Sequence, residues 1–506
     1  MTDELERLAN GVLWPGFLGT EAPAWLLDEL RDGLAGVVYF GQNVGEGLPA
    51  LSAQILDANP AALIGVDEEG GSVTRLESAT GSTLPGAAQL GTLDDLVASE
   101  RTGAELARRV RAVGGNVVLG PVADVNTDHR NPVIGVRSFG ADAELVSRHA
   151  VAMLDGIQDG GAAACVKHFP GHGDTHVDSH HALPRIDLDL DEYEREHLEP
   201  FRAAVEAGVD AVMTAHIVVP GWGDAPATLN PRVLGILRDW GFDGVIITDA
   251  LDMAAIRETV GLGGGAARAL AAGVDLLCIG NPTNPGEAAL PDQDLRDFRA
   301  ARDGIVAALR DGSLSRERVE EAAGRVAALA AKLQAQAARE HAGQQPVDGF
   351  DAQDIARRAV TLVGAAPESA EALAVIDARR RSTLAVDSAA SYVASALAGD
   401  GVRVRLDVAA RPVTEQDDVI AEVVAAPGTT VVLVDRPDAE PAQRALVERT
   451  ATRDPHAVVV NVGLPARTPL PLPTVEVGAA SRLGAQTARE ALQGRFPLRQ
   501  RSTTAG

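Results

Sequence analysis

Eight short apolar runs, each followed by a stretch with helical spacing, recur through roughly the first 280 residues and constrain this chain more than any other feature. They are GVLWPGF (11–17), AGVVYF (35–40), AALIGVD (61–67), GNVVLGPV (115–122), AACVKHF (163–169), AVMTAH (211–216), GVIITD (244–249) and VDLLCIG (274–280). Strands that alternate with helices build a parallel sheet, and eight such units close into an N-terminal (β/α)8 TIM-like barrel. The earliest connections are less plainly helical than the ideal. A helix from about 315 to 336, SRERVEEAAGRVAALAAKLQAQ, completes the expected barrel domain at 1–336.

Residues 337–352 are polar, lack apolar spacing and carry Gly and Pro, which marks a linker. Beyond it, TLAVDS, RVRLDVA, TTVVLVD, HAVVVNVG and PTVEVGA alternate with helical stretches. They predict a smaller α/β sandwich domain at 353–498, with a parallel sheet covered by helices. The tail at 499–506 is expected to be disordered.

The charge balance narrows the function. Lys plus Arg number 45 against 71 Asp plus Glu, a net charge of −26. Nucleic-acid binding and adhesion to anionic membranes both need the opposite sign. No apolar stretch approaches the roughly 20 residues of a membrane span, and the acidic start MTDELERLANGVLW has no signal-like region, so a cytoplasmic location is expected. Cys165 and Cys278 lie inside apolar runs and read as small buried hydrophobes. Of the cationic residues only Lys167 and Lys332 are lysines.

In an α/β barrel the active site is built at the carboxyl ends of the strands. Those ends carry Asp67, Asp124, Lys167 with His168, His216 and Asp249, a convergent polar set suited to a small hydroxylated ligand. The densest segment, KHFPGHGDTHVDSHHALP from Lys167 to Pro184, holds five of the eleven histidines. Four-residue spacing would suit a metal on a helix, but Pro170, Gly171 and Gly173 break any helix there, so no metal site and no cofactor is expected. Within the loop, Asp178 and His180 can form a carboxylate–imidazole pair for general acid/base work. The acidic run Asp187 to Glu192 reads as the start of a helix.

KHFPGHGDTHVDSHHALP, together with ITDALDM, DVNTDHRNPVIGVRSFG and GVDEEGGSVTRL, closely resembles the β-N-acetylglucosaminidase (β-hexosaminidase) branch of glycoside hydrolase family 3 over roughly residues 10–340. ARRAVTLVGA and VEVGAASRLGAQTAREAL carry a weaker resemblance to the family's second domain. The resemblance implies a retaining exo-β-N-acetylglucosaminidase. It places the nucleophile at Asp249 and the general acid/base at His180 with Asp178 as its partner. Arg75, Arg137, Lys167, His168 and Asp67 fall on sugar-binding positions, and His216 joins them as a candidate from its strand end. Two departures touch the sugar-binding rim. Gly71-Ser72-Val73 stands where the family often has Gly-Gly-Arg-Val, and Gln42-Asn43 where it usually has Arg-Asn.

On this reading the substrate is a small carbohydrate, a peptidoglycan turnover fragment or a chitooligosaccharide. The loop from about Gly171 to Ala182 is expected to move over the bound sugar. Interception of the glycosyl-enzyme by phosphate and a family 3 β-glycosidase of other sugar specificity are the alternatives. The sequence carries no indication of oligomeric state.

Overall fold

The computed structural model describes residues 4–177, 183–257, 259–339, 346–380 and 390–501. The chain folds into two compact units. The first comprises residues 1–69, 99–127 and 141–350, and the second comprises 70–98, 128–140 and 351–506.

The first unit is the parallel barrel. Its strands are β1 (Leu13–Pro15), β2 (Gly36–Tyr39), β3 (Leu63–Val66), β4 (Val117–Val118), β5 (Ala163–Phe169), β6 (Ala211–Thr214), β7 (Val245–Ile247) and β8 (Leu277–Gly280). Each lies inside one of the eight apolar runs. Strands β2 to β7 pair in sequence order, all parallel, and β1 pairs parallel with β8. A bridge between Ile247 and Leu276 links β7 to the start of β8. Between β1 and β2 the backbone N–H of Ala35 donates to the carbonyl of Asn10 (2.9 Å). The connections that read as weakly helical are helical in fact, with Ala24–Arg31 after β1 and Leu48–Ala58 after β2. Their apolar stripes are short, and tertiary packing completes what periodicity alone did not signal.

Period-two alternation fills the barrel. Leu63 on β3, Ala163 and Cys165 on β5, Ala211 and Met213 on β6, and Val245 and Ile247 on β7 belong to one buried cluster with Trp14. Helix Arg316–Arg339 adds Val326, Leu329, Ala330 and Leu333 to that cluster, a stripe at helical spacing. Burial of each larger side chain contributes about 1.5–3 kcal/mol. The helix lies across the amino-terminal end of the barrel. Lys332 Nζ meets Asp210, just before β6 (2.5 Å), and Gln334 Nε2 donates to the carbonyl of Pro60, just before β3 (2.5 Å). Arg318 and Arg325 meet Asp275, just before β8 (2.6 and 3.3 Å), and Arg238 joins them on the same fully buried carboxylate.

The second unit holds a seven-stranded sheet. Its strands are β9 (Thr361–Val363), β10 (Leu373–Asp377), β11 (Arg403–Arg405), β12 (Thr429–Val434), β13 (Val458–Asn461), β14 (Thr474–Glu476) and β15 (Arg499–Gln500), in the order β11-β10-β12-β13-β14-β9-β15. The pairing is parallel except between β14 and β9. Helices cover both faces, because side chains of opposite parity on β12 enter separate clusters: Val431 and Leu433 one, Val432 and Val434 the other. Two sequence expectations differ from this. Strand β10 comes from LAVID at 373–377, and the expected strand TLAVDS at 383–388 lies outside the described residues. Arg499 and Gln500, expected in a disordered tail, pair with β9, and Arg501 N–H donates to the carbonyl of Leu362 (2.9 Å). Helix Ala87–Leu93 packs on helix Ala352–Ala359 inside this unit.

Candidate active site

The alternation that fills the barrel also sets which strand-end side chains face its mouth. Residues two beyond a barrel-lining position share its face. Asp67 follows Leu63 and Gly65, Lys167 follows Ala163 and Cys165, and Asp249 follows Val245 and Ile247. Three charged groups therefore continue the inward-facing rows of β3, β5 and β7. The buried thiol of Cys165 registers all three. Burial pushes it up to about 12, with the Lys167 charge acting against this and the charges of Asp67 and Asp249 adding to it.

Lys167 is almost sealed from solvent (2% exposed), and its Nζ lies 2.6 Å from both Asp67 Oδ1 and Glu69 Oε1. An ammonium this deep is sustained by paired charge, and two carboxylates hold it fixed. Glu69 is a site residue that the sequence reading passed over. Its signal was the run Asp67-Glu68-Glu69 directly after a strand.

His168 has the opposite parity and turns to a third carboxylate. Its Nδ1 lies 2.7 Å from Asp124 Oδ2, and its backbone N–H donates to Asp124 Oδ1 (3.2 Å). The backbone N–H of His172 donates to the same oxygen (2.7 Å). Burial pushes the Asp124 carboxyl up, but the charge and hydrogen bond of His168, with those of His172, outweigh it and hold the group below its ordinary range. Burial also brings the His172 imidazole down to about 4.

Asp124 thus fixes an imidazole and the root of the histidine-rich loop together. Further contacts hold the same stem. Tyr193 Oη donates to the carbonyl of Gly171 (2.7 Å), and Thr127 Oγ1 donates to Asp174 Oδ1 (3.0 Å). Gly171 has φ +126°, and Gly173 sits where a Cβ would lie 1.7 Å from the carbonyl oxygen of Val125. These contacts tie residues 171–174 at the root of the loop that is expected to move between about Gly171 and Ala182. Asp178 and His180, the expected acid/base pair, lie outside the described residues. The acidic run after the loop starts helix Leu190–Tyr193, with Asp189 as its cap accepting from Asp191 N–H (2.9 Å).

Asp249 stands just past β7 in a turn pinned to β8. Thr248 Oγ1 accepts from Cys278 N–H (2.9 Å), and Leu251 N–H donates to the carbonyl of Cys278 (3.0 Å). The N–H of Ala250 donates to Asp249 Oδ1 (2.7 Å). His216 is fully buried, with Nδ1 at 2.8 Å from Thr228 Oγ1 and Nε2 at 2.9 Å from the carbonyl of Ala250. Nε2 thus holds the peptide next to Asp249, while Nδ1 is engaged by Thr228. Asp252 accepts from Asn284 Nδ2 (2.7 Å) and packs on Gly280. At the mouth, Gln42 Nε2 donates to the carbonyl of Phe17 (3.2 Å) and to Asn281 Oδ1 (3.0 Å).

The clusters of Lys167, Asp124 and Asp249 belong to the first unit, whereas Arg75 and Arg137 belong to the second. Arg137 is buried and donates from Nη1 to the carbonyl of Val133 (3.0 Å). Ser72 Oγ accepts from Ala480 N–H (2.9 Å). Among the described residues, no group of His, Cys, Asp and Glu is arranged to hold a metal ion. No helix there is long and apolar enough to cross a membrane.

Residues 26–329 match the profile of the glycosyl hydrolase family 3 N terminal domain. A beta-hexosaminidase from Xanthomonas oryzae pv. oryzae is 38% identical over 306 residues, 58% of this chain and 90% of that protein. Beta-hexosaminidase A from Pseudoalteromonas piscicida is 30% identical over 330 residues, 60% of this chain, which spans about half (54%) of that longer protein. Among solved structures, a glycoside hydrolase family 3 beta-N-acetylglucosaminidase from Paenibacillus sp. str. FPU-7 superposes with a TM-score of 0.83 at 30% identity, covering 98% of both chains. With a matching profile over more than half its length and a carboxylate-rich barrel mouth, the chain belongs to glycoside hydrolase family 3.

Proposed function

We propose that this chain is a retaining exo-β-N-acetylglucosaminidase that releases terminal β-linked N-acetylglucosamine from peptidoglycan turnover fragments or chitooligosaccharides in the cytoplasm. The observation that carries the reading is Asp249. Its carboxylate continues the inward row of β7 at the barrel end where the Lys167 and His168 clusters gather, and its backbone is pinned to β8. The names of the relatives support the sugar.

Glycosyl transfer passes through an oxocarbenium-like state that needs an anion beneath the anomeric carbon and a proton at the leaving oxygen. Asp249 attacks the anomeric carbon and forms the glycosyl-enzyme while the glycosidic C–O bond breaks. His180, oriented by Asp178, gives its proton to the departing oxygen. It then takes a proton from the water that displaces Asp249, which restores both groups. Asp67, Lys167 and His168 hold the sugar hydroxyls. Lys167 is suited to that role because its ammonium is fixed between two carboxylates and needs no reorganisation when the ligand arrives. His216 acts through the Ala250 carbonyl to position Asp249.

The test is kinetic, on aryl N-acetyl-β-glucosaminides with good and poor leaving groups. Asp249→Ala loses activity on both. His180→Ala loses most on the poor leaving group, because that substrate depends on the donated proton. Wild-type rates in either variant would overturn the assignment.

A further inference from the structure

The histidine-rich loop is held at its root by its own downstream flank. It leaves the barrel at the end of β5, after Phe169. It rejoins the barrel at Pro184, whose carbonyl accepts from Val218 N–H (2.9 Å), while Ile186 N–H donates to the carbonyl of Val218 (2.9 Å). The chain then enters helix Leu190–Tyr193, and the last residue of that helix returns to the start of the loop, where Tyr193 Oη donates to the carbonyl of Gly171 (2.7 Å). From the β4 side, Thr127 Oγ1 donates to Asp174 Oδ1 (3.0 Å). His180 stands six residues after Asp174 and four before Pro184. Each residue spans at most about 3.3–3.6 Å, so these two fixed ends limit where its imidazole can act.

The clasp itself is firmly seated. Tyr193 is fully buried, with its ring 4.9 Å from that of His197 and 5.3 Å, edge to face, from that of Trp222. The helix continues as a single π-turn, Glu194–Leu198, before helix Glu199–Glu206. Such turns are rare and concentrate at functional sites. This one brings Tyr193 and His197 to the same peptide, since a Cβ on Gly171 would stand 2.9 Å from His197 Cβ. His197 is fully buried, and among the described residues neither of its ring nitrogens has a hydrogen-bond partner. A buried polar group left unmatched costs stability, so an apolar residue would serve better in a turn with only a structural task. All these groups belong to the first unit.

We propose that Tyr193 and Thr127 are positioning residues for proton transfer: they clasp the root of the loop from two sides and so hold His180 within reach of the departing oxygen. Proton transfer needs heavy atoms about 2.6–3.2 Å apart, and a misplacement of about 1 Å can cost about a hundredfold in rate. The proposal rests on the reading of His180 as the general acid/base.

The experiment compares Tyr193→Phe, Thr127→Val and His180→Ala in the full chain, on 2,4-dinitrophenyl and phenyl N-acetyl-β-glucosaminides, with and without azide. Azide carries no proton. It attacks the anomeric carbon of the glycosyl-enzyme, the bond to Asp249 breaks, and no general base is needed. Tyr193→Phe and Thr127→Val should each lower kcat/KM at least about tenfold on the phenyl glycoside, whose leaving group needs the proton, and less than about threefold on the dinitrophenyl one. On the latter, azide should raise the lowered kcat and yield the glycosyl azide, as in His180→Ala but to a smaller degree. Near-ultraviolet circular dichroism, to which Trp222 contributes, should stay that of wild type, and Thr127→Val carries the test if Tyr193→Phe does not fold. Equal losses on both substrates without azide rescue would mean a merely structural role, and wild-type rates would mean none; either overturns the proposal and leaves His180 standing. If His180→Ala itself shows neither the leaving-group dependence nor the rescue, the reading of His180 fails and the clasp's role falls with it.

Discussion

Replacing Asp124 by Asn tests the architecture of the site at its most connected point. The carboxylate is fully buried and serves three donors: the backbone N–H groups of His168 and His172 and the Nδ1 of His168. An amide has the same shape. Its oxygen can keep the two backbone donors, but its NH2 then faces His168 Nδ1. The ring must move its proton to Nε2 or leave donor against donor. A hydrogen bond to a charged group contributes about 1.5–3 kcal/mol. Removing a buried charge offsets part of this, so about 1–2 kcal/mol of unfolding free energy should be lost in urea titrations at pH 7. Losing its carboxylate partner also loosens the orientation of the ring, so KM for an aryl N-acetyl-β-glucosaminide should rise roughly tenfold or more, with kcat less affected. A double-mutant cycle with His168→Gln isolates the pair, and a coupling of about 1 kcal/mol or more is expected. Additivity within about 0.5 kcal/mol would refute the reasoning.

Acid should weaken the fold over a defined window. The His172 imidazole sits at about 4 against an ordinary 6.5, so below about pH 6.5 the unfolded chain takes a proton that the folded chain refuses. The unfolding free energy should therefore fall by about 3 kcal/mol between pH 6.5 and 4. The depressed Asp124 carboxyl adds a further loss as pH drops through its folded-state value, and urea midpoints that stay level from pH 7 to 4.5 would contradict this. Lys167→Arg overfills a sealed site and should lower stability by about 1–3 kcal/mol and raise KM. Lys332→Arg, on a half-exposed side chain, should leave both unchanged, and equal effects of the two would return Lys167 to an ordinary lysine. Asp275→Ala leaves the guanidiniums of Arg238, Arg318 and Arg325 facing one another and should lower stability by about 3–5 kcal/mol, seen as a reduced denaturant midpoint; a midpoint within error of wild type would show that they hold without it.

The barrel was legible because its signal is local. Each strand is an apolar run, and Asp67, Lys167 and Asp249 stand where those runs end. What strand ends alone did not separate is row parity, which in the structure places His168 and His216 off the inward rows, where Asp124 and the Ala250 carbonyl engage them. Glu69 was missed because its meaning lies in a lysine about a hundred positions away, and nothing short-range marks such a pair. Strand β10 was missed because LAVID follows SAEA in a stretch with helical composition, and only pairing with β11 and β12 makes it a strand. Strand β15 is two polar residues long and exists through its partner β9. The grouping of residues 70–98 and 128–140 with the second sheet is likewise non-local, and no composition shift announces it.

That grouping bears on how the chain is made. Segments 70–98 and 128–140 leave the ribosome before any strand of the sheet they pack with exists, since that sheet's residues begin beyond Asp351. At about 5–20 residues per second, the roughly 250 residues between Ala98 and Asp351 take about 10–50 s to emerge. For that interval helix Ala87–Leu93 has no helix Ala352–Ala359 to cover it, and the second unit cannot begin to close until the barrel's entire sequence has been delivered. A gene fragment that starts after the linker would therefore encode a sheet deprived of two of its own pieces.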